Sequence, residues 1–152
     1  MTKWCAIGAV AVAAACSGFA PYASAQSALV GAWRVTEIAE PNKPPITAPQ
    51  PGLMIFAKQH YSFARINGTK PLPDYPSNDK ATDAQKLAVF DALYLNAGTY
   101  SATANTLATK ALVAKSAFAM GAANQFDYTI DSDKLVLTQK PQGIVIRFVR
   151  LE

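Results

Sequence analysis

Residues 125–151 read QFDYTIDSDKLVLTQKPQGIVIRFVRL, and the fold follows from this stretch. Apolar residues cluster in short runs, 125–130, 135–138 and 144–151, each of strand length and rich in β-branched and aromatic side chains. Asp131-Ser132-Asp133 joins the first two runs, and Pro141-Gln142-Gly143 joins the last two. Both are built from residues that bend a backbone at little cost. Strands linked this tightly lie side by side as a meander.

Working outward, the same grammar repeats. Residues 29–38, 53–57, 61–66, 99–103 and 107–116 are further stretches of strand length. Lys58-Gln59 sets a hairpin between 53–57 and 61–66, and Asn67-Gly68 opens the next turn. Pro41, Pro44, Pro45, Pro49 and Pro51 place an extended loop after the first strand, because proline has no amide hydrogen to give a sheet. Residues 71–78 (PLPDYPSN) form a second rigid loop. One segment changes period. Ala84, Leu87, Ala88, Asp91, Ala92 and Leu95 fall at three- and four-residue steps, so the spacing predicts a helix over 79–95. Asp79 or Thr82 caps its start, and Asn96-Ala97-Gly98 ends it. The expected fold is all-β, an antiparallel up-and-down β-barrel of about eight strands with one inserted helix.

The start of the chain obeys other rules. Lys3 precedes an apolar run from Cys5 to Cys16 broken only by Gly8, and the stretch after it closes on Ala23-Ser24-Ala25. A positive start, an apolar middle and small residues at the −3 and −1 positions make a secretory signal, cleaved between Ala25 and Gln26. The apolar run is about twelve residues, short of the roughly 20 that cross a hydrocarbon core. Residues 1–25 are therefore read as a signal peptide and 26–152 as the barrel domain, destined for the periplasm or the exterior. Ala13-Ala14-Ala15-Cys16 offers a rival, a loose lipobox that would anchor the protein through an acylated Cys16. Both cysteines precede Ala25, so cleavage there leaves no thiol for a disulfide, a nucleophile or a metal.

The hydrophobic share of 51% is inflated by that one segment, and the remainder reads as an ordinary, slightly basic domain. A chain of 152 residues with two cysteines and one apolar run excludes a multi-domain enzyme, a disulfide-rich mini-scaffold and a polytopic membrane protein. The net charge of +4 comes from scattered Lys and Arg, without the concentrated stripe that nucleic-acid binding needs. His60 is the only histidine and sits beside a turn, with no second imidazole to share a metal. No metal or cofactor is expected. Asp79, Asp83 and Asp91, with Lys80 and Lys86, read as a solvated helix face. No nucleophile elbow or phosphate loop occurs.

Several short motifs then line up in order. Gly31-Ala32-Trp33 makes a G-x-W in the first strand, and Pro51-Gly52-Leu53-Met54-Ile55-Phe56 leads into the second. His60-Tyr61-Ser62 falls in the hairpin, and YLNAGTYSA at 94–102 reads as a strand after the helix. Leu135-Val136-Leu137-Thr138 and Phe148-Val149-Arg150-Leu151 stand in the last two strands. Together these resemble the lipocalin-like domain family of small bacterial and fungal proteins, over essentially all of 26–152. The resemblance implies that Trp33 closes one barrel end and that Arg150 packs across its indole as a cation–π contact. Two departures stand out. Family members often carry a His just after the start of the fifth strand, where this chain has Thr109-Lys110, and an Arg near Gln125, which is absent here. Any ligand or reaction those groups serve is lost to this chain.

Alternation sends every second side chain of a strand inward. Tyr61, Phe63 and Arg65 share a face, as do Tyr100 and Ala102, and Phe126, Tyr128 and Ile130. On the last strand Ile146, Phe148 and Arg150 form one set, and Val145, Arg147 and Val149 the other. Tyr61, Phe63, Tyr100, Phe126, Tyr128 and Arg147 are the candidate lining for a small apolar or amphipathic molecule. An eight-stranded barrel just holds one small ligand or fills itself with side chains, so plain core is the competing reading. The expected function is an exported barrel that binds such a ligand without catalysis. Two alternatives stay open: a cyclase or isomerase using Tyr61, Tyr128 or Arg147, and a closed-core envelope module that contacts proteins through its proline-rich loops.

Overall fold

A computed structural model describes residues 20–152, with side chains from Ala25 onward. The order is α1 (Ala20–Leu29), β1 (Gly31–Ala39), β2 (Gly52–Ala57), β3 (His60–Ile66), α2 (Asp83–Ala92), β4 (Leu93–Ala102), β5 (Thr106–Ala114), β6 (Ala123–Asp131), β7 (Lys134–Lys140) and β8 (Val145–Arg150). A single 3-10 turn, Ala117–Ala119, lies between β5 and β6. The eight strands make one closed antiparallel barrel, each bonded to its neighbour in sequence, with β8 returning to β1. The expected fold class is what forms.

The period-two pattern is the cause. On β2, Gly52, Met54 and Phe56 are buried while Leu53, Ile55 and Ala57 are exposed. The same alternation puts Tyr61 and Phe63, Tyr100 and Ala102, Leu135 and Leu137, and Ile146 and Phe148 into one continuous core. The wall is uneven. β1 pairs with β8 along most of its length, with a register shift between Val35 and Glu37. With β2 it pairs only from Gly31↔Phe56 to Arg34↔Leu53. Beyond that point the proline-rich loop takes over, and Ile46 forms an isolated bridge to Ile38. A second register shift falls between Ala97 and Gly98, where β4 presses onto β5. A Cβ at Gly98 would lie 2.0 Å from the Lys110 carbonyl oxygen, so only glycine fits that approach.

α1 closes the end at which β1 begins and β8 finishes. Leu29 is its last residue and is fully buried in the core, so the expected first strand starts later than residue 29. α1 runs through the Ala25-Gln26 junction. Residues 1–19 of the expected signal segment, with Cys16 among them, lie outside the described residues. Among the described residues no helix is long and apolar enough to cross a membrane.

The inserted helix is shorter than its spacing predicts. Thr82 starts it through a capping box: the Gln85 amide donates to the Thr82 hydroxyl, and the Gln85 side chain accepts from the Thr82 amide. It ends at Ala92, because the next residues are claimed by the sheet, with Leu93, Tyr94 and Leu95 pairing against Ile66, Arg65 and Ala64. Asn96-Ala97-Gly98 is therefore strand, not helix stop, and Asn96 is buried. No residue of α2 is buried, and its apolar side chains Leu87 and Phe90 are exposed.

Candidate functional site

The two ends of the barrel are built differently. At the α1 end, Trp33 lies beneath Arg150, whose guanidinium carbon is 4.0 Å from the ring centroid. The indole Nε1 donates to the Leu29 carbonyl at 2.8 Å. Arg150 donates through Nη1 to the Val30 carbonyl and through Nη2 to the Ala28 carbonyl, both at 2.7 Å. These are carbonyls that a helix terminus leaves without partners, and a cation there also suits the helix dipole. Gly31 makes room: a Cβ on it would meet Arg150 Nη1 at 2.9 Å and the Glu152 oxygen at 2.4 Å. The G-x-W motif thus has a steric reason as well as an aromatic one.

Behind this plug the interior is packed with rings. Phe56 meets Tyr100 edge-on at 5.0 Å, and Phe63 contacts Phe148 at 5.9 Å and Tyr94 at 5.4 Å. Tyr61, Phe63, Tyr100 and Tyr128 are buried, and Phe126 packs against them half-buried. The candidate aromatics are therefore brought together inside. They fill the core and line neither the cavity of about 540 Å³ nor that of about 460 Å³, though Tyr128 borders a smaller one of about 230 Å³. Arg147 does not join them. It lies on the outer face, exposed, bonded through Nε to Glu37 at 3.2 Å, because the in–out alternation that buries Ile146 and Phe148 turns it to solvent. His60 is likewise exposed at the start of β3. Among the described residues no group of three metal-binding side chains occurs.

Space lies at the opposite end, where β1, β3, β5 and β7 finish, and in the wall between β1 and β2, where Val35, Gly52 and Arg65 face inward and Arg34 and Leu53 face outward. One cavity of about 540 Å³ is lined by Arg34, Val35, Pro49, Pro51, Gly52, Leu53, Ala64, Arg65, Ile66, Leu93 and Leu151. It opens where the β1–β2 pairing gives out. Another, of about 460 Å³, is bordered by Tyr94, Asn96, Asn124 and Gln139 from the strands, with Phe118 and Ala119 of the 3-10 turn above. Leu93 lines both. Polar side chains bond one another near this end. The Tyr61 hydroxyl donates to Asn96 Oδ1, and Gln139 Nε2 donates to Asn124 Oδ1 at 3.2 Å. Arg65 stands over the Tyr94 ring at 5.3 Å and near the Phe63 ring at 6.0 Å.

Burial sets the protonation of this end. It pushes the Tyr94 phenol above the ordinary tyrosine range, with the Arg65 charge and the Asn96 side chain pulling partly back. Tyr61 is raised for the same reason, opposed by Thr109. Burial also draws Arg65 below the usual arginine range, against the opposing pull of Tyr94 and Glu40. Thr109 is itself buried. Sequence reasoning missed Tyr94, Asn96, Asn124 and Gln139 as lining. Alternation run backward from Ala102 through Tyr100 and Gly98 reaches Asn96 and Tyr94, and was masked by the helical spacing that extends to Leu95.

A barrel of eight meandering strands, plugged at one end under a tryptophan–arginine stack and hollow at the other, defines a lipocalin-like architecture. Comparison with known families agrees: the lipocalin-like domain matches residues 30–146, and the chain belongs to that family. Among solved structures it is similar to a lipocalin-like protein from Bacteroides uniformis, with TM-score 0.52 and 13% identity over 82% of this chain and 99% of that one. It is also similar to an uncharacterized protein from Bacteroides eggerthii, with TM-score 0.50 and 12% identity over 80% of this chain and 98% of the other. At these identities the likeness is one of fold. Comparison with curated proteins gives no match.

Proposed function

We propose that the protein is an exported binding barrel that takes up a small hydrophobic or amphipathic molecule at the end opposite α1 and performs no chemistry on it. The observation that carries this reading is the unequal filling of the interior. Rings occupy the plugged half, while a cavity of about 460 Å³ opens at the other end and one of about 540 Å³ opens through the wall where β1 and β2 part. Both volumes fall within the roughly 300–1,000 Å³ of small-molecule sites. Binding is favoured over catalysis by the kind of polar group present. An arginine does not exchange protons near neutrality, and the buried phenols are pushed further from doing so. Export fits the plug, since Ala28, Leu29 and Val30, which supply its carbonyls, all follow Ala25.

Native mass spectrometry of the protein purified gently from its own host's envelope fraction tests both parts. The expected result is a chain beginning at Gln26 that carries a small mass released on denaturation. A bare chain with no thermal shift across lipids, aromatics and terpenoids would overturn the binding reading. A chain still bearing residues 1–25, or one beginning at Cys16, would overturn the soluble export reading.

A further inference from the structure

We propose that Arg65 is the head-group site of this barrel, holding the carboxylate of an amphipathic acid whose apolar body lies along the 540 Å³ cavity. The proposal rests on the ligand-binding reading above and names the ligand's class. Its starting point is a cation without a counter-ion. The Arg65 side chain is largely buried on the inner face of β3, and its Nε is enclosed with no hydrogen-bond partner. Among the described residues the ion pairs are Lys43–Glu40, Lys140–Asp127 and Arg147–Glu37, so each of those carboxylates is engaged elsewhere. Glu40 feels the Arg65 charge, but it is bonded to Lys43 at 2.6 Å on the surface. A buried charge is normally paired, because leaving water uncompensated is costly. Here two aromatic faces and an open cavity stand where the partner would be.

The cavity matches such a partner. Its walls are apolar, from Val35, Pro49, Pro51, Leu53, Ile66 and Leu93, and no acidic residue lines it. Arg34, the other charged residue in the lining, is exposed on the outer face of β1, so Arg65 is the charge on the inner side of the wall. A guanidinium against low-dielectric walls with no acidic residue in the lining draws anions. A guanidinium fork fits the two oxygens of a carboxylate, and the apolar walls fit a chain or ring behind it. Gly52 keeps the approach clear. A Cβ there would lie 2.7 Å from Val35 Cγ2 and 2.9 Å from Arg65 Cβ, crowding the stem that carries the guanidinium.

The test uses dodecanoic acid, dodecan-1-ol and methyl dodecanoate as matched probes, titrated calorimetrically into the full chain as its host processes it. The acid is expected to bind about ten-fold or more tightly than the two neutral probes. Arg65→Gln should bring the acid to the level of the alcohol and leave alcohol binding intact, and Arg65→Lys should keep part of the preference. Equal binding of acid and alcohol to the natural protein would overturn the head-group assignment while leaving the binding reading standing. Failure of all three probes would overturn the head-group assignment, and the binding reading falls with it only when lipids, aromatics and terpenoids give no thermal shift either. Should Arg65→Gln not fold, carboxyl-labelled dodecanoate on the natural protein decides. A bound carboxylate that titrates below the free acid supports the ion pair, and one that titrates at or above it overturns the proposal.

Discussion

Replacing Arg150 by alanine should loosen the plugged end of the barrel by a predictable amount. The substitution removes a guanidinium stacked 4.0 Å from the Trp33 centroid and two hydrogen bonds of 2.7 Å to the Ala28 and Val30 carbonyls. A cation–π contact is worth about 0.5–2 kcal/mol. Each charged hydrogen bond, discounted because this side chain is only half-buried, adds about 1 kcal/mol. Together the loss is about 2–4 kcal/mol, and for a domain of this size it lowers Tm by roughly 10 °C. Arg150→Lys keeps the charge without the planar fork and should recover about half of that. Differential scanning calorimetry gives the shifts, and near-ultraviolet circular dichroism of the indole reports whether the stack is lost. An Arg150→Ala protein that melts within about 1 °C of the parent would refute the reasoning, since no other described group serves those carbonyls.

Three further outcomes follow from the same geometry. Gly98→Ala forces a methyl group to within 2.0 Å of the Lys110 carbonyl and 2.8 Å of the Leu112 nitrogen, both backbone, and should cost about 3 kcal/mol or more in urea unfolding. Thr82→Ala breaks the capping box of α2, whose residues are all unburied, so hydrogen exchange of the helix should speed up while Tm moves by less than about 2 °C. Burial raises Tyr61, Tyr94, Tyr100 and Tyr128 above the unfolded value of 10.0, so the folded state keeps protons that the unfolded state has released. Stability is then intact below pH 10 and falls as pH climbs above it, and tyrosinate absorbance should show these phenols ionising only with unfolding.

How far the sequence could be read depends on which force decided each segment. The tight turns at Asp131-Ser132-Asp133 and between Ala57 and His60 are local chemistry, and the strands flanking them fall within a residue or two of their expected bounds. Residues 93–95 were decided otherwise. Their spacing continues the helix, but pairing with β3 satisfies backbone groups along the whole β4 edge, and the sheet wins. Leu29 reads as strand for the same reason that it is buried: it is apolar beside a G-x-W, and period alone does not say that it arrives from a helix. At the site, alternation correctly grouped Tyr61, Phe63 and Arg65 on one face, yet alternation does not tell a filled half of a barrel from an empty one. That distinction depends on where the proline-rich loop leaves the wall and where the Phe118 turn lies over the mouth. Both are long-range consequences of closure. Arg147 shows the converse, since the alternation that groups it with Val145 and Val149 is the one that places it outside.

The closure of β8 onto β1 also brings the tail of the chain beside the first strand. The Leu151 amide donates to the Ala32 carbonyl at 2.8 Å, and a Cβ on Gly31 would touch the Glu152 oxygen. Every other strand pair is joined by its own connection, so the order in which the strands are threaded is a property of the gene rather than of the barrel. A linker from Glu152 back to Gln26, which keeps Ala28 and Leu29 in the plug, with new ends cut at Ser132 in the exposed β6–β7 turn, would keep every ladder in place. Such a circular permutant should close into the same barrel.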